Sequence, residues 1–365
     1  MTIKPNPTID DIARELGVSK TTVSRAISGK GRISAATREQ VQAYIEKHNY
    51  KPNASAKSLA ESKTYNLALA LPRDFIKLDI PFIRQTMSAI VDEAYTLGYN
   101  VMLCLDDATD SHPLIRTLDY RKVDGVILTR TIEEDHIVEM LIRRGIPFAT
   151  LGSLPLKYSG TAVVEADHDQ LGGCQAFAKA VLSGSPAPTA LLGNDLNYIV
   201  NQSRLSGFRK ACQELVIPLA QTPIRMGIND LEGCREAVEE LLAKGVRRFL
   251  CMDEDVCTRT ITVLRENGLT IPGDAQVASF SDTEVLKNAQ PPVSALHFDS
   301  EELGRAACRE LIHALNDDDY DPKPLQGYKI RLRQSMLRAG SGNLPEIFRK
   351  RSEIGPDYPK TVKPP

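Results

Sequence analysis

The sequence predicts a small all-α head with a helix-turn-helix, followed by an α/β body of two lobes with parallel sheets. The head is predicted from three short helical patterns, separated by turn residues, within residues 8–48. The body is predicted from the apolar runs after residue 65, which are typical of buried strands and alternate with amphipathic helical stripes. About 270 residues of this alternation suit two lobes rather than one.

The first predicted helix of the head lies between Thr8 and Gly17. Apolar residues recur there at helical spacing, at Ile9, Ile12, Ala13 and Leu16. Thr8 suits the N-cap, and Asp11 stands where a capping-box partner bonds back to it. Gly17 accepts the positive φ with which helices commonly end, so we expect the helix to stop there.

Ser19 caps a second short helix, whose inward positions are Val23 and Ala26. A helix-turn-helix needs a small residue where the helices approach, a glycine in the turn and a β-branched residue that packs the second helix back. Ala13, Gly17 and Val23 meet these needs. The alternative is a pair of helices that binds no DNA.

A third helix is predicted from about Ser34 to His48. Its inward stripe is predicted to be Val41, Tyr44, Ile45 and His48. The head is also basic, because residues 1–63 carry eleven Lys and Arg against six Asp and Glu, whereas the remainder carries 34 against 41. A basic head on an acidic body indicates that the head meets a polyanion.

Polar side chains near the start of the second helix are the predicted DNA contacts. Lys20, Thr21, Ser24 and Arg25 face outward at the helix end that enters the major groove in this motif. Lys and Arg donate to guanine, and a Thr methyl contacts thymine. Capping or phosphate contacts are assigned to three hydroxyl residues, Thr8, Ser19 and Thr22. The alternative for the whole set is a solvated polar face.

The segment after the third helix is predicted to be a hinge. Pro52 breaks the helix, and Asn53 suits the cap of a new one. A helix of about two turns is unstable alone in water, so we expect it to fold only against DNA or a partner chain. Leu59 beside Lys57 has the chemistry of a wedge that opens a minor-groove step. The alternative is a linker with an incidental leucine.

Four motifs within residues 8–60 carry a resemblance to known proteins. They are Thr8-Ile9-x-x-Ile12-Ala13, Gly17-Val18-Ser19-x-Thr21-Thr22-Val23-Ser24-Arg25, Thr37-Arg38, and Tyr50-x-Pro52-Asn53 with Lys57-x-Leu59. In order and without gaps, they resemble the DNA-binding head and hinge of the LacI/GalR family of bacterial regulators. The resemblance implies that Lys20, Thr21 and Arg25 read bases and that Leu59 intercalates at the centre of a palindromic operator. Lys57 stands where the family usually has Arg, which keeps the charge but loses the bidentate fork.

Six apolar runs mark the predicted strands of the body. They are Leu67 to Leu71, Val101 to Leu105, Gly125 to Leu128, Thr189 to Leu192, Arg248 to Met252 and Gln276 to Phe280. Helical stripes lie between them, such as Phe82 to Leu97 and Leu231 to Leu242. In such sheets, ligands bind in the crevice at the carboxyl ends of the strands.

Carboxylates, arginines and aromatic rings follow these strands or precede Gly207-Phe208. Charged groups pair with hydroxyls and rings stack on C–H faces, so the set suits a polyhydroxylated ligand. The alternative for each residue is a loop charge or a helix cap, and Asp253 or Asp255 suits the cap of the next helix. The candidate ligand-binding residues are Arg73, Asp74, Phe75, Phe82, Asn201, Arg204, Asp253, Phe280, Ser281 and Asp282.

Motifs of the body also resemble the LacI/GalR effector domain, which is similar to periplasmic sugar-binding proteins. These motifs are Arg204-x-x-Gly207-Phe208, Gly268-x-x-Ile271-Pro272, Pro291-Pro292-Val293-Ser294, Leu303-Gly304-x-x-Ala307 and Arg333-Gln334-Ser335. The resemblance implies a homodimer on double-stranded, palindromic operator DNA, with a small-molecule effector, a sugar or sugar derivative, that releases a repressor. Ser281 replaces an Asp, Asp253 replaces an Asn, and Gly152-Ser153 lacks an Arg, so no specific sugar carries over.

These features divide the chain into four segments. We expect a helix-turn-helix DNA-binding domain over residues 1–52 and a hinge helix and linker over residues 53–64. A two-lobed effector-binding and dimerisation domain is expected over residues 65–338. The tail, residues 339–365, is rich in Lys, Arg and Pro and lacks a leucine heptad repeat, so we expect disorder or surface packing rather than a coiled coil.

The rival class, an enzyme, lacks support in the motifs. The body contains no Gly-x-Gly-x-x-Gly, no phosphate-binding Gly-Lys-Ser/Thr loop and no Gly-x-Ser-x-Gly. We therefore expect no catalytic residue, metal or cofactor. Asp167-His168-Asp169 is interpreted as an exposed polar loop, and the seven scattered cysteines as thiols packed like small hydrophobes.

The N-terminus has no apolar signal region, and no run approaches the roughly 18 apolar residues of a membrane helix. We expect a cytoplasmic protein with no membrane partner. A sugar-binding transport protein, the second rival, would need a signal peptide and no head.

Overall fold

The computed structural model describes residues 8–29, 31–48, 50, 58, 61–73, 81–106, 112–162, 164–183, 188–218, 221–317, 325 and 327–337. The chain divides into two compact units, residues 1–65 and residues 66–365. Of the predicted hinge, residues 53–57, 59 and 60 lie outside the described residues, as does the whole predicted tail, 339–365.

Three helices can be bounded within the described residues of the first unit. They are α1 (Ile9–Leu16), α2 (Lys20–Ser28) and α3 (Ala35–His48). The predicted caps are confirmed: Thr8 and Asp11 bond reciprocally, with Asp11 N donating to Thr8 Oγ1 over 3.3 Å and Thr8 N to Asp11 Oδ2 over 2.9 Å. Gly17 ends α1 at a φ of 62°, and Thr22 N donates to Ser19 Oγ over 3.1 Å at the start of α2.

A small core joins these three helices. Ile12 and Val23 are fully buried, and Val41 and Tyr44 cover them from α3. The predicted inward position of His48 is wrong: this residue is exposed, and its ring stacks on Tyr44 with the ring centres 4.2 Å apart. His48 is in the last turn of α3, past the point where the short α1 and α2 can cover it.

A five-stranded parallel sheet forms the first lobe of the second unit, in the order β2-β1-β3-β4-β5. Its strands are β1 (Asn66–Pro72), β2 (Asn100–Asp106), β3 (Gly125–Leu128), β4 (Phe148–Leu151) and β5 (Val164–Ala166). Its helices are α4 (Pro81–Thr96), α5 (His112–Asp119) and α6 (His136–Arg144). Strand β1 lies in the sheet interior and is apolar throughout its buried residues because both of its faces are covered.

A six-stranded sheet forms the second lobe, in the order β11-β10-β9-β8-β6-β7. All pairs are parallel except the edge strand β11, which runs antiparallel to β10. The strands are β6 (Thr189–Leu192), β7 (Ile224–Arg225), β8 (Arg248–Cys251), β9 (Gln276–Ser279), β10 (Ser294–His297) and β11 (Lys329–Arg331). The helices are α7 (Gln170–Ser183), α8 (Ile199–Glu214), α9 (Leu231–Ala243), α10 (Glu254–Glu266) and α11 (Glu284–Lys287).

The chain passes repeatedly between the two lobes. Helix α12 (Ser300–Asn316) follows β10 of the second sheet, yet it packs against α4, β4 and β5 of the first lobe. Gly304 makes this packing close, because a Cβ there would lie 2.7 Å from the carbonyl oxygen of Thr86 on α4. The lobes are therefore joined by more than one segment of the polypeptide chain, an arrangement that suits closure about a hinge.

The six predicted apolar runs all form strands, whereas β4, β5, β7, β10 and β11 were not predicted. All seven cysteines are free thiols and buried, as interpreted from the sequence. Within the described part of the chain, no helix has the length and apolar character needed to cross a bilayer.

Candidate functional site

The exposed end of α2 is the candidate DNA-binding surface. Because Val23 and Ala26 are buried against α1 and α3, the side chains of Lys20, Thr21 and Ser24 are left outside, together with that of Arg25. These four side chains surround the N-terminal half of one helix, where the positive end of the helix dipole adds to their attraction for phosphate.

The hydroxyl residues at this end have internal partners. Ser19 Oγ accepts from Thr22 N and lies 2.8 Å from Thr22 Oγ1, and Thr8 Oγ1 donates to Asp11 Oδ2 over 2.6 Å. These bonds fix the start of each helix, which agrees with a positioning role rather than base reading. Lys20 Nζ forms an exposed ion pair with Asp10 over 2.5 Å, which an incoming phosphate can replace at little cost.

Arg25 is accommodated by a glycine. Gly31 has a φ of 89°, and a Cβ there would lie 3.0 Å from Cδ of Arg25. The three other predicted DNA contacts, Asn53, Lys57 and Leu59, lie outside the described residues.

The second unit contains a cleft of about 540 Å³ between its two lobes. The segments that line it come largely from the carboxyl ends of parallel strands, where backbone groups and side chains leave the sheet together. Those segments are Thr129–Thr131 after β3, Gly152–Ser153 after β4, Asp167–His168 after β5, Asn194–Asp195 after β6, Asp253–Asp255 after β8 and Phe280–Thr283 after β9.

A chain of hydrogen bonds runs along the second-lobe wall of the cleft. Arg204 Nη1 donates to Asn201 Oδ1 over 3.2 Å, and Asn201 Nδ2 donates to Asn194 Oδ1 over 2.7 Å. Asn194 Nδ2 then donates to Asp253 Oδ2 over 2.9 Å, while Asp253 Oδ1 caps α10 by accepting from Val256 N over 2.9 Å. Asp253 therefore fills both interpretations given to it, as a helix cap and as a cleft residue.

Burial controls the charges of this wall. It lowers the pKa of the Arg204 guanidinium and raises the pKa of the Asp253 carboxyl. The Nε atom of Arg204 is buried and has no hydrogen-bond partner within the described residues. Burying a donor without a partner costs free energy, so a ligand oxygen that accepts a hydrogen bond from Arg204 Nε would bind favourably.

The first-lobe wall contributes Asp167. Its Oδ2 accepts from the backbone nitrogen of Ser153 over 3.0 Å and from Ser153 Oγ over 2.6 Å. Burial raises the pKa of Asp167 despite these bonds. The two lobes thus present a carboxylate each, Asp167 and Asp253, to one cleft.

Asp282 lines the cleft, but its carboxylate already has a cationic partner. Arg333 donates to both of its oxygens, over 2.7 and 3.0 Å, and His297 Nδ1 lies 3.4 Å away. Burial opposes ionisation, yet the hydrogen bonds from His297 and Arg333 lower the pKa of Asp282 to about 2. Asp282 is consequently held in place as an anion, with little capacity left for a ligand.

Seven of the ten predicted cleft residues are brought together. They are Phe82, Asn201, Arg204, Asp253, Phe280, Ser281 and Asp282. The ring of Phe280 is almost completely buried and packs edge-on against Phe177, 5.8 Å between ring centres, so it supports the wall more than it offers a stacking face.

The structure corrects the assignment of Arg73 to the cleft. Its guanidinium turns toward the neighbouring strand, where Nη2 donates to the carbonyl of Leu105 over 3.3 Å, and Arg73 does not line the cleft. Asp74 and Phe75 lie outside the described residues.

Sequence reasoning missed other cleft residues, among them Arg130, Thr131, Asn194, Asp195 and Tyr198. Thr129-Arg130-Thr131 and Asn194-Asp195 closely follow predicted strands, so the rule applied to the other strands would have found them.

The interpretation of Asp167-His168-Asp169 as an exposed loop is wrong for its first two residues. Asp167 is half-buried and His168 is 4% exposed, whereas Asp169 is exposed. The His168 ring stacks against Phe298, 5.4 Å between ring centres, and its Nε2 lies 3.1 Å from the carbonyl oxygen of Asp299. This burial was not predictable from local pattern, because β5, which leads into the segment, is only three residues long.

The lobes are also joined at one side of the cleft by an antiparallel bridge between Ile132 and Tyr198. Ile199 N donates to the Thr131 carbonyl over 3.1 Å, and Glu133 N donates to the Asn197 carbonyl over 3.0 Å. Backbone hydrogen bonds of this kind fix a spacing without depending on side-chain identity, so they limit how far the lobes separate on this side.

Two family descriptions match the chain. Residues 8–53 match bacterial regulatory proteins of the lacI family, and residues 188–336 match a periplasmic binding protein-like domain. The HTH-type transcriptional regulator DegA of Bacillus subtilis (strain 168) is 30% identical over 307 residues, which cover 81% of this chain and 88% of DegA.

Solved structures share the fold. The transcriptional regulator CelR in complex with cellobiose superposes with a TM-score of 0.64 at 24% identity, covering 90% of this chain and 99% of CelR. The lac repressor dimer bound to operator and the anti-inducer ONPF superposes with a TM-score of 0.70 at 22% identity, covering 92% and 100% of the respective chains. At these identities the similarity shows the fold, a helix-turn-helix head followed by an α/β body.

Proposed function

The chain belongs to the lacI family of bacterial regulatory proteins, and from that premise we propose that it is a repressor whose hold on a palindromic operator is controlled by a sugar. Family membership makes it a DNA-binding transcriptional regulator that responds to a small-molecule effector. The sugar, the palindrome, the homodimer and a cytoplasmic site of action are the proposed parts. The role consists of binding, and it needs no catalytic step.

The observation that carries the proposal is the cleft with its line of donors and acceptors. Arg204, Asn201, Asn194 and Asp253 alternate donor and acceptor groups along one wall. Vicinal hydroxyls of a sugar match such alternation, because each hydroxyl donates one hydrogen bond and accepts others. A volume of about 540 Å³ is within the range of small-molecule sites. The sugar-bound state of CelR supports the same ligand class.

The head supplies the specificity for DNA. The side chains proposed to contact base edges are Lys20, Thr21, Ser24 and Arg25. Three hydroxyl residues, Thr8, Ser19 and Thr22, are proposed to hold the helices in position against the DNA phosphate backbone. Two heads of a homodimer would meet the two halves of an inverted repeat. The lac repressor dimer on its operator supports this arrangement.

We propose that the effector and the operator favour different arrangements of the two lobes. Closing the lobes on a sugar would change the body in a way that weakens DNA binding. Such couplings are typically 1–3 kcal/mol and reciprocal. Neutral sugar should therefore shift operator affinity by about 5- to 150-fold.

The proposal is tested by fluorescence anisotropy of the full chain on labelled DNA from upstream of its own gene. Titrations run with and without single mono- and disaccharides, cellobiose and ribose included. We expect tight binding to one inverted repeat and a shift to weaker binding with one sugar. If the DNA binds but no sugar shifts the curve, the proposed sugar effector is wrong and the proposed DNA-binding role is retained. If a wide selection of operators finds no site, the DNA-binding role fails.

A further inference from the structure

Carboxylates outnumber arginines on the walls of the cleft. Among the described residues that line it, three are arginines, Arg130, Arg204 and Arg259. Six are acidic: Asp167, Asp195, Asp253, Glu254, Asp255 and Asp282. The described lining of the cleft therefore carries a negative formal charge.

Ion pairs do not remove this excess. Asp282 is neutralised by Arg333, and Arg259 Nη2 lies 3.6 Å from Asp255 Oδ2. Setting both pairs aside leaves the carboxylates of Asp167, Asp195, Asp253 and Glu254 against the guanidinium groups of Arg130 and Arg204. Arg84, which does not line the cleft, offsets part of the charge of Glu254, but the formal charge of the described lining stays negative.

Three carboxylates of the cleft are also poorly solvated. Burial raises the pKa of Asp167, Asp253 and Glu254. Glu254 Oε2 is buried and has no hydrogen-bond partner within the described residues. A second anion placed beside these groups would add repulsion in a setting that water screens weakly.

Two of the helix N-termini that open onto the cleft, the usual anion-binding elements of such folds, already have partners within this chain. Helix α10 begins in the cleft, but Asp253 caps it and Glu254 and Asp255 occupy its first turn. Helix α8 also begins there, and its first backbone donor, Ile199 N, is given to the carbonyl of Thr131. At these two helices, the N-terminal groups that could bind a phosphate are thus occupied by this chain's own groups.

From this geometry we infer that the cleft selects an uncharged polyhydroxylated ligand and rejects its phosphorylated counterparts. The inference rests on the proposed sugar-binding function and narrows it. The arginines act as hydroxyl donors, and the carboxylates accept from hydroxyls, which a neutral sugar provides and a phosphate does not.

The test measures binding of matched pairs to the full chain by thermal shift and calorimetry at fixed ionic strength. The pairs are glucose and glucose 6-phosphate, ribose and ribose 5-phosphate, and trehalose and trehalose 6-phosphate, with cellobiose as an unpaired neutral disaccharide. We expect a neutral sugar to stabilise the protein, and a phosphate group to weaken binding by about 100-fold or more.

The outcomes separate the two proposals. A phosphate that binds as tightly as its neutral partner, or more tightly, overturns the inference and leaves the sugar-controlled regulator standing. Failure of every neutral and phosphorylated sugar to bind overturns the proposed sugar effector itself. Binding of the neutral member alone supports both.

A charge-neutralising variant tests the cause. Glu254→Gln keeps the shape and one acceptor, so it should narrow the gap between a neutral sugar and its phosphate by about tenfold. Glu236→Gln, on the exposed face of α9, is the matched control and should keep the wild-type gap. If Glu254→Gln does not fold, Asp195→Asn takes its place, because Asp195 is exposed and should tolerate the change. A gap that no cleft variant alters overturns the electrostatic account.

Discussion

In the head, the candidate DNA contacts are exposed side chains of one helix, whereas in the body the candidate effector contacts are buried or half-buried side chains drawn from both lobes. Lys20 and Arg25 are five residues apart, and neither is needed by the core of the head. Asn194 and Asp253 are 59 residues apart, and each helps to hold the other. Substitutions of the candidate DNA contacts should therefore change binding without changing stability. In the body, most of the candidate effector contacts also hold the fold, so substitutions there should change both.

The largest effect on the free energy of unfolding is expected at Arg333. Arg333→Ala leaves the Asp282 carboxylate, 9% exposed, without its cation, and should lower the free energy of unfolding by about 3 kcal/mol or more. Chemical denaturation measures it. The matched control is Arg331→Ala on the exposed side of β11, which should stay within about 0.5 kcal/mol of wild type. Equal effects of the two variants would contradict a structural role for the ion pair.

Arg204 should be an exception within the body, where a substitution changes ligand binding but hardly changes stability. Burial lowers its pKa, so its charge already costs solvation, and Arg204→Met should change the free energy of unfolding by no more than about 1 kcal/mol. The same variant should weaken sugar binding by about 100-fold, since it loses charged donors to hydroxyls. Calorimetry gives the affinity, with the exposed Arg209→Met on the same helix as the control. Unchanged sugar affinity in Arg204→Met would remove Arg204 from the site.

Asp282 should give the body a stability that depends on acid pH. Its folded pKa of about 2 lies below the ordinary value near 3.9, so the folded state favours the charged form. The resulting stabilisation, about 2 kcal/mol, is present above pH 4 and is lost as the pH falls toward 2. We expect the stability difference between wild type and Asp282→Asn to shrink over that window in denaturant titrations. A difference that stays constant from pH 5 to pH 2 would show that the pair does not set the pKa.

The smallest stability effect is expected in the head. Arg25→Ala should weaken operator binding by about 10- to 100-fold, while the free energy of unfolding stays within about 0.5 kcal/mol, because the side chain is exposed. Anisotropy and denaturation measure the two quantities. Lys47→Ala, exposed on α3, is a control for charge alone and should weaken binding much less. Similar losses in both variants would mean that Arg25 contributes charge rather than base contacts.

The same contrast explains what the sequence predicted well. The head site follows from neighbours three and four residues apart: burial of Val23 and Ala26 dictates which residues of α2 face outward. Caps such as Thr8 with Asp11 are equally local, and they were predicted correctly. His48 was misplaced because helical spacing alone does not say how far the partner helices extend.

The cleft was only partly predictable because it depends on which strands exist and where they end. Residues after recognised strands, such as Asp253 and Ser281, were found, whereas Ser153 and Asp167 follow β4 and β5, two strands that were not predicted, and β5 has only three residues. The partner of Asp282 comes from Arg333, 51 residues further along the chain, and no local pattern connects them. Arg73 was misassigned because a strand end gives the position of a residue and not the direction of its side chain.

The central claim is that the cleft and the head are coupled, and reciprocal binding tests it most directly. Calorimetry would measure the Kd of the full chain for the neutral sugar, first without operator DNA and then with the operator saturating. The account predicts that the operator weakens sugar binding by the same factor by which the sugar weakens operator binding. A sugar Kd that is identical in both states, despite tight binding of each partner, would contradict the claim.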